Sequence, residues 1–196
     1  MRNALPAFAA VLALATGWLP VSAGESLPYR LVVAVYWGPS VGPEALRQEL
    51  EFELLRGLVA ADCFESVVAT PGEDKADLTL RLQISDYREE TEFEYALSQA
   101  GEPGLDTDRL SIAHVEANLL AEVIELQHGS VVRSRSFRQR ASWRPTWNED
   151  PREHAQGQLV EEAARTARKL VCKGSATKWA KEIERARRRD DPTAQR

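Results

Sequence analysis

Residues 111–143 read SIAHVEANLLAEVIELQHGSVVRSRSFRQRASW and carry the clearest structural pattern in the chain. Over residues 111–126, apolar side chains alternate with polar ones, which is the two-residue period of a strand with one buried face. Residues 127–129 (QHG) are typical of a hairpin turn, and residues 130–143 supply the returning strand. The stretch therefore predicts an antiparallel pair at the centre of a sheet.

Upstream of this hairpin, the sequence predicts three strands and one helix. Residues 29–37 are rich in β-branched and aromatic side chains, residues 64–69 form a short apolar run, and residues 77–87 alternate in polarity. Between the first two strands, residues 43–61 repeat apolar side chains every three to four positions, as an amphipathic helix does. The apolar stripe of this helix is Leu46, Leu50, Leu54 and Leu58, widened by Leu55 and Val59.

Downstream, Pro151 opens a second amphipathic helix that ends near residue 172, and residues 176–189 predict a charged helix that projects from the body. The order β-α-β-β-β-β-α is typical of an α+β fold. We expect a mainly antiparallel sheet of four to five strands, with two long helices packed on one face and the charged helix at the C-terminus. Residues from 190 onward are expected to be disordered.

The first 23 residues have the three parts of a secretory signal peptide. Arg2 gives a positive start, residues 4–21 hold no charge, and Val21-Ser22-Ala23 fits the small-x-small cleavage rule. The alternative is a membrane anchor, but the apolar run is near the lower limit for spanning and Pro and Gly interrupt it. We expect cleavage after Ala23 and a periplasmic location, which gives three regions: 1–23 as signal peptide, 24–174 as one α+β domain, and 175–196 as a charged helical extension and disordered tail.

The formal net charge of the chain is −5, and Lys and Arg are concentrated from Lys173 onward. The body is therefore more acidic than the whole chain. An acidic body repels nucleic acid, so we expect no nucleic-acid partner.

Two cysteines, Cys63 and Cys172, lie in the predicted mature part. A paired count in an exported chain favours a disulfide, and this bridge would close a loop of about 109 residues worth roughly 4–5 kcal/mol in the chain-entropy model. The alternative is two separate buried thiols. No C-x-x-C spacing is present, so the pattern does not favour a redox role.

No motif for catalysis, a metal or a cofactor is found. The three histidines form no metal-ligand spacing, and neither a nucleophile elbow nor a phosphate-binding glycine loop occurs. We therefore expect a protein that is not an enzyme and has no cofactor. An active site could still form if distant carboxylates or histidines converged in the fold.

The returning strand supplies the candidate ligand or partner surface, which comprises Arg133, Arg135, Arg138, Arg140, Trp143 and Trp147. The arginines could bind phosphate or an anionic headgroup, and the tryptophans could line a ligand site or enter a membrane interface. The alternative for the arginines is cross-strand pairing with Glu116, Glu122 and Glu125. The alternative for the tryptophans is packing at the edge of the sheet.

The run from Leu46 to Leu82 resembles a known group of proteins. A helix of the form L-x3-L-x3-L-x3-L leads to DCFESV at residues 62–67, and ADLTL at residues 76–80 opens the next strand. The pattern is similar to the small α/β domains of Gram-negative cell-envelope accessory proteins, such as outer-membrane lipoproteins that assist lipopolysaccharide or transport assembly. The resemblance extends over roughly residues 31 to 135 and includes a reduced hairpin turn at residues 126–129. Those proteins often carry a lipid-modified Cys, whereas Gly24 follows the predicted cleavage site here.

The resemblance implies no catalytic residues. It implies a non-enzymatic periplasmic accessory protein in envelope assembly or transport that acts through contacts with envelope proteins, and peripheral membrane contact is compatible with it. The alternative expectation is a periplasmic binding module for a lipid or small anionic ligand, carried by the arginines and tryptophans of the returning strand.

Overall fold

The computed structural model describes residues 26–39, 42–69, 76–95, 109–144 and 150–190. Within these ranges the chain forms five strands and three helices. In chain order they are β1 (Leu27–Trp37), α1 (Glu44–Ala61), β2 (Phe64–Val68), β3 (Leu78–Tyr95), β4 (Arg109–Glu125), β5 (Val131–Trp143), α2 (Pro151–Val171) and α3 (Ala176–Asp190). The predicted signal peptide and the tail at residues 191–196 lie outside the described residues.

The five strands form one mixed sheet in the order β2-β1-β3-β4-β5. β1 runs parallel to both β2 and β3, whereas β4 is antiparallel to β3 and β5. The α+β class and the element order are as predicted. The expectation of a mainly antiparallel sheet is roughly met, except that both pairings of β1 are parallel. The reason is that α1 is a crossover connection, which returns the chain so that β2 runs parallel to β1. β3 then pairs with the other side of β1 in the same direction.

The two long helices pack on one face of the sheet, as predicted. α1 lies over β1 and β2, while α2 lies over β4 and β5 and also contacts α1. The apolar stripe of α1 is fully covered at Leu50, Leu54 and Leu58. Small side chains lie between α2 and β4, so the two backbones come close together. They are Ala155, Ala163 and Ala167 of α2 and Ala113, Ala117 and Ala121 of β4, all buried.

α3 packs on the body and does not project from it, so this expectation was wrong. Trp179 is completely buried, and its ring meets Phe64 edge-on at 6.0 Å between centroids. The guanidinium of Arg133 lies 3.7 Å from the centroid of the Trp179 ring. One side of the helix carries a narrow apolar stripe, formed by Trp179, Ile183 and Ala186. Charged residues surround this stripe in the sequence, so the helix was predicted to be solvent-exposed.

β3 is a single long strand with one bulge. The pairing register with β4 shifts between Ser85 and Arg88, and Asp86 at the bulge adopts a left-handed φ of 49°. The Asp86 carboxylate accepts a hydrogen bond of 3.0 Å from the amide of Asn118 on β4. β3 then continues to Tyr95, beyond the predicted end of this strand at residue 87.

Glu125 connects the β4–β5 turn to α3. Its side chain is almost fully buried, and it accepts hydrogen bonds from the backbone N–H groups of Gln127 (3.1 Å) and His128 (2.9 Å) and from Arg187 of α3 (2.9 Å). Burial acts to raise the pKa of Glu125, but the hydrogen bonds from His128 and Arg187 outweigh it and hold that pKa below its usual value. Glu125 therefore pairs with α3, and not with the arginines of β5 as the cross-strand alternative supposed.

Cys63 and Cys172 form a disulfide, as the sequence predicts. Their Cα atoms lie 5.5 Å apart although 109 positions separate them in the chain. The bond ties the residue that precedes β2 to the residue that follows α2, and so it holds the ends of the two long helices together.

Candidate functional site

The sheet face opposite the helices is the candidate functional surface, which we call the open face. It comprises the outward-facing residues of β3, β4 and β5, most of which are polar. They are Thr79, Arg81, Gln83, Ser85, Arg88, Glu90, Glu92, Ile112, His114, Glu116, Asn118, Leu120, Glu122, Ile124, Ser134, Ser136, Arg138, Arg140 and Ser142. Pairing across the strands places these side chains in rows, so their neighbours are set by the register and not by distance along the chain.

Glu116 at the middle of the open face binds two arginines of β5. Arg138 donates from Nε to Glu116 Oε1 at 2.6 Å, and Arg140 Nε lies 2.5 Å from Oε2. Desolvation acts to raise the pKa of Glu116, but the hydrogen bonds from Arg138 and Arg140 outweigh it and lower that pKa. The cross-strand alternative thus holds for these two arginines, which share the single carboxylate of Glu116.

His114 lies between a serine and a carboxylate of the neighbouring strands. Its Nδ1 is 2.8 Å from Ser142 Oγ, and its Nε2 is 3.5 Å from Glu92 Oε2. These residue types can form a nucleophilic triad, and sequence reasoning missed the grouping because the residues come from three strands. Here Glu92 and Ser142 are exposed and His114 is half-buried, and the adjacent backbone N–H groups of β4 belong to the sheet ladders rather than to an oxyanion hole. The grouping supports cross-strand hydrogen bonding better than acyl transfer.

Two shallow, open troughs cross the open face. One of about 450 Å³ lies over the His114, Glu116 and Arg140 rows, and one of about 440 Å³ lies over the rows of Asn118 and Leu120. Polar side chains from all three strands line both troughs. Their shape suits a broad contact with another surface better than the enclosed binding of a small molecule.

Arg133 and Arg135 lie on the other side of the sheet from Arg138 and Arg140, because they stand opposite Val123 and Ala121 in the β4 register. The side chain of Arg133 is only 11% exposed. It donates one hydrogen bond of 2.7 Å to the carboxylate of Glu182 in α3 and another of 2.7 Å to the backbone carbonyl of Leu170 in α2. Arg133 is therefore an anchor for α3, and the four predicted arginines do not form one patch.

Trp143 packs at the end of the sheet against the start of α2. Its ring stacks on His154 with 4.7 Å between centroids. Beside it, Gln156 of α2 donates a 3.0 Å hydrogen bond to the hydroxyl of Tyr87, and burial raises the pKa of Tyr87 to about 12. The packing alternative thus describes Trp143, while Trp147 lies outside the described residues and its predicted role stays a prediction.

Among the described residues, no group of three or more His, Cys, Asp and Glu side chains is arranged to hold a metal ion. The helices in the same residues are all too polar or too short to cross a bilayer.

No protein family and no curated protein matches this sequence. Among solved structures, the chain is similar to a neuraminyllactose-binding hemagglutinin homolog from Helicobacter pylori, with 14% identity, a TM-score of 0.49, and 85% of this chain and 95% of that chain covered. It is also similar to a minor lipoprotein from Acinetobacter baumannii, with 12% identity, a TM-score of 0.43, and coverages of 74% and 92%. A third similar structure is rare lipoprotein B from Shewanella oneidensis, with 11% identity, a TM-score of 0.36, and coverages of 79% and 97%. At this level, the similarity assigns no activity.

Proposed function

We propose that this chain is a non-enzymatic accessory protein of the bacterial cell envelope, exported to the periplasm, and that it binds a protein partner through the open face. The main support is the open face itself, in which one side of three long strands carries polar side chains while both long helices pack on the other side. An antiparallel arrangement such as β3-β4-β5 is stable with one face in water, so the open face is available to bind a partner. The signal-peptide pattern of residues 1–23 supports export.

The dimensions of the open face fit a protein contact. β5 has 13 residues. With about 3.3 Å per residue and about 4.8 Å between strands, the three strands present roughly 600 Å². A typical protein interface buries about 800 Å² on each partner, so a partner that also reached the neighbouring β1 would form a contact of ordinary size.

The charges of the open face also favour a protein partner over a small anionic ligand. A phosphate or headgroup that bound Arg138 and Arg140 would compete with Glu116 for them, which lowers its net gain in free energy. A protein partner could instead be selected by matching the alternating charges of the rows, which confers specificity without breaking the pairs.

Site-specific photocrosslinking in the native host tests the proposal. A photoreactive amino acid at Ser136, an exposed residue of the open face, should capture one envelope protein reproducibly. The matched control is the same amino acid at Lys169, an exposed residue of α2 on the helical side, which should not capture it.

Capture of the same proteins from both positions, or recovery of a lipid or small molecule in place of a protein, would contradict the proposal. Mass spectrometry of the purified periplasmic protein tests export in the same sample. The mature chain should begin at Gly24, and full-length chain retained in the cytoplasm would contradict export.

A further inference from the structure

α1 exposes apolar side chains on the side that faces away from the core. Phe52 is 63% exposed and Val59 is 62% exposed, although α1 already buries a complete leucine stripe on its other side. Phe52 follows the buried Leu50 by two positions, which places it about 200° further around the helix. Val59 was predicted to widen the core stripe of α1, and that prediction was wrong.

The exposed side of α1 has the spacing of a helix–helix contact. Its residues, which we call the outer seam, are Ala45, Gln48, Phe52, Leu55 and Val59; all are exposed except Leu55, which is half-buried and also packs against the core. They follow one another at steps of three, four, three and four, which is the a/d pattern that keeps side chains in line along a partner helix. Single exposed apolar residues are ordinary on a protein surface, but a seam in register along a helix is not explained by the fold of this chain.

The charges beside the outer seam make it complementary to itself. Glu49 and Arg56 flank the seam on the same side, seven positions apart, and both side chains are exposed. Arg56 pairs with Glu53 of its own helix, at the surface. If two copies of α1 lie antiparallel with Phe52 opposite Leu55 of the other copy, Glu49 of each copy faces Arg56 of the other.

We propose that the outer seam of α1 binds the outer seam of a second copy of this chain, antiparallel and about a two-fold axis. Such a contact is isologous, so each favourable pair occurs twice. The outer seam lies on the helical side of the sheet, away from the open face, so the dimer would present two open faces to partners. The acidic residues around the seam, including Glu49 and Glu53, make an anionic membrane a poorer occupant.

The size of the seam predicts a weak dimer. α1 has 18 residues, a length of about 27 Å, so a single helix pair buries roughly 400 Å² per copy, about half of a standard interface. We expect a dissociation constant on the order of tens to hundreds of micromolar. Sedimentation velocity of the oxidised mature protein from about 5 to about 500 μM spans this range.

The first variant is Phe52→Glu, which places a charge in the seam, and its matched control is Phe93→Glu. Phe93 is 60% exposed and lies on β3, so the two substitutions have the same chemistry and nearly the same exposure. Wild type and Phe93→Glu should dimerise with rising concentration. Phe52→Glu should have its dissociation constant raised at least about tenfold, so that its dimer fraction is well below that of wild type at every concentration. Far-UV circular dichroism checks that each variant is folded.

Charge reversal then tests the orientation. Glu49→Arg alone and Arg56→Glu alone should each weaken self-association, because like charges then face each other. An equimolar mixture of these two variants should form a heterodimer at wild-type strength, since both cross-helix pairs are again opposite in sign.

Three results would overturn the proposal: wild type that stays monomeric at about 500 μM, a dimer that Phe52→Glu leaves intact, or a mixture of the charge variants that does not associate. Flotation with phosphatidylethanolamine–phosphatidylglycerol vesicles completes the test. Binding that Phe52→Glu abolishes, in a chain that stays monomeric in solution, would assign the seam to the membrane instead. A dimer sensitive to Phe52→Glu and restored by the mixture supports the proposal.

Discussion

Replacing Trp179 by Ala should be among the most destabilising single changes in this protein, although Trp179 lies on its most highly charged helix. The side chain is completely buried, between Phe64 and the guanidinium of Arg133. A tryptophan buries up to about 250 Å², worth roughly 6 kcal/mol at about 25 cal/mol per Å², and measured aromatic-to-alanine losses are about 3–5 kcal/mol. We therefore expect the free energy of unfolding to fall by about 4 kcal/mol, which is roughly 8–16 °C in Tm for a chain of this size.

The assay is urea unfolding of the oxidised mature protein, followed by circular dichroism at 222 nm. Trp179→Phe should lose far less, under about 1.5 kcal/mol, because the ring remains and the buried indole N–H has no hydrogen-bond partner among the described residues. Lys181→Ala changes an exposed residue of the same helix and should stay within about 0.5 kcal/mol. A Trp179→Ala protein within about 1 kcal/mol of the Lys181→Ala protein would refute the packing of α3 on the sheet.

Three further predictions concern the termini of the helices and the β4–β5 turn. Replacing both Cys63 and Cys172 by Ser should lower the free energy of unfolding by about 4–5 kcal/mol, read from urea curves, and a loss under about 1 kcal/mol would contradict the chain-entropy account. Asp62→Gly should increase the free energy of unfolding by about 0.5–1 kcal/mol and raise the midpoint of thermal unfolding, because Asp62 ends α1 with a left-handed φ of 46° that glycine adopts without strain. An unchanged or lower midpoint would show that the position is not strained. Glu125→Gln should be less stable than wild type at pH 7, because the lowered folded pKa of Glu125 stabilises the native state above the unfolded value of 4.5 and is lost as pH falls through the folded value. The gap between the two stability curves should close in acid, and a gap of constant size down to the lowest pH would contradict this role of Glu125.

The sequence alone determined the number, order and type of the elements, because their signals are local. The alternation over residues 111–126 fixes which side chains of β4 face the core, and the leucine repeat of α1 does the same for a helix. The Cys63–Cys172 pairing also followed from the sequence, since it required only a paired count and a chain predicted to be exported. The signal peptide and the role of Trp147 stay predictions, because they lie outside the described residues.

The tertiary structure decided which of these faces are covered and which side chains meet. Periodicity shows that a stripe is apolar but not whether a neighbour covers it. The helix that carries Trp179 was therefore predicted to project from the body and Val59 to face the core, whereas Trp179 is buried and Val59 is exposed. Strand direction around β1 depends on which edge each connection reaches. The same register that joins Arg138 and Arg140 to Glu116 turns Arg133 toward α3. These outcomes are set by contacts between residues that are distant in sequence. The free energy of such contacts depends on how the sheet and helices pack together, so the residue pattern of a single segment does not reveal it.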